Sequence, residues 1–149
     1  MANEGVRLVG SVEMTLIGKN GEVKDIRKFE NLIVKTGKDL IADTVGKSTG
    51  QPAGAQYVAI GTNTTAPTSD DTQLGAENAR GLATYAHTSG TNSWTETYTF
   101  GAGQGTGAVT ESGCLNAVSG GSLLARQTFA VINKGADDSL QVQWTYTIS

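Results

Sequence analysis

The sequence predicts a mainly β protein, an antiparallel β-sandwich or jelly roll carrying one short α-helix over about residues 36–46. Three observations lead there. Several stretches alternate apolar and polar residues with a period of two, the pattern of a strand with one covered face. Turn residues separate seven to nine such stretches. Only 38% of residues are hydrophobic and only 17% are charged. A disordered chain replaces apolar residues with charge; here Gly, Thr, Ser, Asn and Gln fill the remainder, which suits strands with one wet face and many turns.

The chain opens on residues 6–17, where Val6, Leu8, Val12, Met14 and Leu16 share one face and Arg7, Ser11, Glu13 and Thr15 the other. Asn20-Gly21 is a strong hairpin signal, so residues 22–29 are expected to return as a second strand. Asn31–Val34 is short and apolar. Thr36 reads as a helix cap with Asp39 in the first turn, and Leu40, Ile41, Thr44 and Val45 give one apolar stripe. Residues 47–55 are polar and form the expected junction.

Tyr57–Ile60 is a short buried strand, followed by a polar turn segment reaching Asp71 that Leu74 and Leu82 are expected to anchor. A strand region runs from Arg80 to Thr88. In residues 94–100, Trp94, Glu96, Tyr98 and Phe100 alternate with threonines. Gly101–Gly107 reads as a flexible hairpin loop, and 108–115 as a weak strand with a possible bulge at Gly113. Residues 122–132 carry Leu124, Phe129, Val131 and Ile132, and 139–148 place Leu140, Val142, Trp144, Tyr146 and Ile148 on one face. The expected core is built on Trp94, Tyr98, Phe100, Phe129, Trp144 and Tyr146. The organisation is a single domain over 1–149, with an N-terminal hairpin and helix (1–46) preceding the main sandwich (56–149). A chain of 149 residues buries enough surface to need neither disulfide nor metal.

Charge is uneven. The net charge is −3; residues 1–50 balance at +1 and residues 51–149 at −4. No dense basic patch of the kind that binds nucleic acid is present. The single cysteine, Cys114, reads as a small buried apolar residue. The first residues lack a signal-peptide core, and no run reaches the roughly 18 apolar residues of a membrane span. The expectation is a chain made in the cytoplasm, with no membrane and no direct nucleic-acid partner.

Candidate chemistry is sparse. His87 precedes Ser89-Gly90 and reads as a loop histidine; no Gly-x-Ser-x-Gly elbow occurs. Gly46-Lys47-Ser48 ends like a phosphate loop, but Ile41 stands where the motif needs glycine. The Gly101–Gly107 spacing does not match a dinucleotide fingerprint. Asp70-Asp71 and Asp137-Asp138 lack the pattern of a calcium loop and fit turns. Glycoside hydrolysis needs two carboxylates across a cleft, and Glu96 and Glu111 are the inward-facing candidates. The expectation is no enzyme, no cofactor and no metal.

Four blocks then carry a resemblance: KFENLIVKTGKDLIADTVG, YVAIGTNTTAPTSDDTQLGAEN, GAVTESGCLNAVSGGSLLARQTF and INKGADDSLQVQWTYTI. Their order and spacing, over roughly residues 22–149, resemble small tailed-bacteriophage virion structural proteins of the capsid cement (decoration) or tail-fibre-like kind. The resemblance implies that the segment from Ile60-Gly61-Thr62 to Asp71-Thr72 joins a buried strand to a fixed loop. Cys114-Leu115 after Thr110-Glu111-Ser112-Gly113 departs mildly from the pattern. The implied role is a decoration protein on the outer surface of the capsid. Its partners would be the major capsid protein and other copies of itself, as a dimer or trimer. The candidate capsid-contact arm is the N-terminal hairpin with Arg7, Glu13, Lys19, Lys24, Arg27 and Lys28. The alternative is a tail or tail-fibre module contacting tail neighbours or host glycans, with the aromatic rows and the loops 62–72 and 101–107 as its surface.

Overall fold

The computed structural model describes residues 5–149. Among them, two antiparallel five-stranded sheets face each other. The first has the order β2 (Val23–Glu30), β1 (Leu8–Ile17), β10 (Ser139–Ile148), β7 (Ser93–Phe100), β6 (Thr84–His87). The second has the order β3 (Leu32–Ile33), β9 (Leu123–Lys134), β8 (Gly107–Leu115), β4 (Tyr57–Gly61), β5 (Glu77–Leu82). One helix, α1 (Lys35–Gly46), packs along β9. The mainly β sandwich with one helix is therefore the architecture of the chain.

Period-two patterning explains the first sheet. In β1 and β10, Val12 lies opposite Trp144, Met14 opposite Val142 and Leu16 opposite Leu140. Two sequences at opposite ends of the chain thus bring their apolar faces into one register. Phe100, Trp144 and Tyr146 are fully buried, while Trp94, Tyr98 and Phe129 are partly buried and pack against the same core. Trp94 stacks on Tyr146 with ring centroids 4.9 Å apart, and Phe29 stacks on Phe129 at 5.3 Å. The hairpin turn falls at Lys19–Gly21; Gly21 sits at φ 85°, and its N–H donates to Gly18 O at 3.0 Å.

Several expectations change. The hairpin does not stand apart from a sandwich over 56–149. Strand β1 pairs along its whole length with β10, so the N-terminal strand is an inner member of the first sheet. The glycine-rich segment 101–107 is no hairpin loop: it carries the chain from β7 in one sheet to β8 in the other. The strand region expected from Arg80 to Thr88 is two strands, β5 and β6, in different sheets, with buried Ala83 at the crossing. Val131 is 42% exposed, although its strand is as expected.

Strand β8 is the largest difference. It is not a weak element but an inner strand, buried from Val109 to Leu115. One face looks at the first sheet, where Trp144 Nε1 donates to Ser112 Oγ at 3.2 Å. The other face carries Glu111, Gly113 and Leu115, and the segment after β4 covers it through Leu74. A strand covered on both faces has no polar–apolar alternation to read. The register shifts lie at Val109/Glu111 and Cys114/Leu115, not at Gly113. Gly113 has another use: a Cβ there would lie 2.6 Å from Leu74 Cδ1.

The helix starts differently from its reading. Val34 is the N-cap, without a side-chain cap bond, and no acidic residue lies in the first turn. Thr36 turns its hydroxyl to Leu123 O at 2.7 Å and so ties α1 to β9. Gly37 is buried at that contact, and a Cβ on it would sit 2.1 Å from Leu124 O. In an exposed helix, glycine to alanine gains about 0.5–1 kcal/mol. Here the clash is with backbone, which cannot swing away, so Gly37→Ala is expected to cost about 1–3 kcal/mol. Urea denaturation at neutral pH checks the sign; a gain in stability would mean that α1 lifts off β9 freely.

Candidate functional site

The six residues expected to form a contact arm do not gather in one place. Arg7 is exposed at one end of the first sheet, where its backbone N–H donates to Ser149 O at 2.8 Å. Lys19 lies at the other end, in the hairpin turn. Lys24 pairs with Asp138 at 3.1 Å. Arg27 falls on the inward-facing row of β2 opposite Met14; it pairs with Asp25 at 2.9 Å and donates to Ala130 O at 2.6 Å. Only Glu13 and Lys28 lie opposite one another, on the outer face.

That outer face is a regular polar surface running across the first sheet. The register brings Glu13, Gln143, Thr97 and Thr84 into one row across four strands. Beside it run Ser11, Thr145, Thr95 and Ala86, and on the other side Thr15, Gln141 and Thr99. Five strands of up to ten residues make a face of roughly 600 Å². Threonine there follows from β propensity without burial, so the face is hydroxyl-rich and of mixed charge.

On the opposite side, the segment between β4 and β5 is locked by a buried ion pair. Arg126 Nε donates to Glu111 Oε1 at 3.0 Å, with the side chains 3% and 0% exposed. Glu111 also accepts backbone N–H bonds from Asn63 at 2.9 Å, Gly75 at 2.8 Å and Ala76 at 2.8 Å. Arg126 reaches Asp71 at 2.9 Å and Thr65 O at 3.1 Å. Burial opposes ionisation of Asp71, but the Thr68 N–H and hydroxyl and the Arg126 guanidinium together hold its carboxyl below the usual carboxylate range. Glu111 is thus committed to holding a loop, and Glu96 faces inward from the other sheet. The sequence singled out Glu111 but gave Arg126 no role; an arginine inside an apolar strand was the available signal.

The remaining candidates fall in turns. Asp70 pairs with Lys35 at 2.6 Å on the surface. Asp138 accepts the Gly135 N–H at 2.8 Å and faces Lys24; both hold its carboxyl below the ordinary value. His87 Nδ1 lies 2.8 Å from Ser93 O, exposed at the end of β6. Among the described residues, no group of three or more His, Cys, Asp or Glu is placed to hold a metal ion, and no helix is long and apolar enough to cross a membrane.

Glu96 is the unusual carboxylate. It lies between Tyr85 and Trp144 in the register of the first sheet, 4% exposed, and its Oε2 has no hydrogen-bond partner among the described residues. Burial pushes its pKa up to about 7. The Tyr146 hydroxyl, also without a hydrogen-bond partner among the described residues, and the Cys114 thiol lie nearby, and burial raises the pKa of both.

No family model, no curated protein and no solved structure matches this chain.

Proposed function

We propose that this chain is a bacteriophage capsid decoration (cement) protein that lies on the outer surface of the major capsid protein shell and braces it against internal DNA pressure. The observation that carries this reading is the regular polar outer face of the first sheet, with its threonine and glutamine rows and the Glu13–Lys28 pair. Its roughly 600 Å² approaches the ~800 Å² that one partner contributes to a stable interface. The resemblance of the four sequence blocks to virion proteins supports the same reading. Bracing needs no chemistry. Each copy spans neighbouring capsid subunits, and individually weak polar contacts add through multivalency. Self-association as a dimer or trimer would extend the span.

Replacing Gln141 and Thr145 together with glutamate puts two charges on that face opposite neutral neighbours and without touching the core. The double variant is expected to melt like the parent and to bind purified capsids at least tenfold more weakly, read by co-sedimentation. Quantitative staining of purified virions checks the location. Hundreds of copies per particle fit a decoration protein; a handful would overturn it and favour the tail.

A further inference from the structure

Where α1 meets the end of the sandwich, the two sheets do not close. A groove of about 640 Å³ opens there. Its walls are Leu40, Ile41 and Val45 of α1 on one side and Tyr85, Trp94 and Ile148 of the first sheet on the other. Val45, Tyr85 and Ile148 are 81%, 53% and 44% exposed, so large apolar surface is left open around it. The helix causes this. It docks on β9, burying Leu40 and Gly37, while Val45 in its C-terminal turn stays exposed. A volume in the range of about 300–1,000 Å³ with mostly apolar walls and few polar groups is that of a small-molecule site.

The polar group is Glu96. Glu96 is one of the wall residues, its Oε2 is buried and lacks a partner among the described residues, and no lysine or arginine among them lines the groove. A buried acceptor without a donor, in a cavity without cations, is complementary to a positive hydrogen-bond donor. The rings of Trp94 and Tyr85 beside it add faces that attract a cation. We propose that this groove binds a small apolar primary amine, its ammonium on the Glu96 carboxylate and its hydrocarbon body between α1 and the Trp94 and Tyr85 rings. The site lies off the polar outer face and is independent of the virion reading.

The test titrates 2-phenylethylamine into the purified full chain at pH 8, followed by calorimetry and by tryptophan fluorescence, since Trp94 lines the groove. Saturable one-to-one binding is expected, with a dissociation constant of about 1 mM or tighter. 2-Phenylethanol, the same body without the charge, is expected to bind about tenfold more weakly. Glu96→Gln should weaken the amine about tenfold and leave the alcohol unchanged. Thr44→Trp, at an exposed position on the groove's rim, should abolish binding of both while leaving the melting curve in place. Equal affinity for amine and alcohol, binding indifferent to Glu96→Gln, or no saturation at about 10 mM overturns the proposal. So does a concentration-dependent dimer in sedimentation that Thr44→Trp dissociates, because a second copy would then fill the groove.

Discussion

Arg126→Ala is expected to lower the unfolding free energy by about 3–5 kcal/mol, the largest effect of any single polar substitution in the chain. The reason is what it leaves behind. Glu111 would remain fully buried with three backbone N–H groups but no countercharge. Asp71 would lose its guanidinium partner, and Thr65 O its donor. For contrast, Lys35→Ala removes an exposed pair with Asp70 and is expected to leave stability nearly unchanged. Urea denaturation of both variants makes the comparison. Equal effects would mean that water reaches Arg126.

A double replacement sharpens this. An ordinary buried ion pair is often replaced by apolar side chains with no loss of stability, or with a gain. Glu111 and Arg126 differ, because most of the Glu111 bonds are to backbone. Glu111→Met with Arg126→Met leaves the N–H groups of Asn63, Gly75 and Ala76 without an acceptor, each at about 1–3 kcal/mol. The double variant is therefore expected to stay destabilised, with faster amide exchange over residues 62–76. Asp71 adds a pH signature. Its folded pKa lies below the ordinary value, so its contribution is present above the unfolded pKa and is lost as pH falls through the folded one. Arg126→Ala should flatten that acid-side decline.

Alternation made the first sheet legible in the sequence. Its inner row (Val12, Met14, Leu16, Leu140, Val142, Trp144) stands beside polar neighbours that face solvent. The second sheet was harder for a physical reason. Its outer face is covered by the 62–76 segment and Leu74, so Glu111, Ser112 and Gly113 are all buried side by side and no period survives. Crossovers were also hidden. Gly101–Gly107 has the composition of a hairpin turn, and which sheet each end joins depends on pairings far away in the chain. Of the candidate sites, the outer face was readable as threonine alternation. The groove was not, because Val45 and Tyr85 look like core residues, and only the fold leaves both largely exposed in its walls.

Glu96→Gln is expected to change the pH dependence of stability rather than its value at low pH. The folded pKa of Glu96 is about 7 against an ordinary 4.5, and burial is the cause. Folding therefore favours the protonated acid. Below about pH 4.5 both folded and unfolded chains are protonated and Glu96 carries no ionisation penalty. Between about pH 4.5 and 7 the unfolded chain releases this proton while the folded chain keeps it, so stability falls; above 7 the folded chain ionises too and the loss levels off. Full desolvation would make the penalty about 3 kcal/mol; the neighbouring groove admits water, so on the order of 2 kcal/mol is the expected size at pH 8. Gln cannot ionise, so Glu96→Gln should match the parent near pH 4 and exceed it at pH 8, as read from melting curves across that range. A parent whose stability is flat from pH 5 to 8 would show that Glu96 is hydrated in the folded chain. The same curves bear on the groove. An ammonium ligand binds the ionised form, so adding 2-phenylethylamine at pH 8 should recover stability in the parent and much less of it in Glu96→Gln.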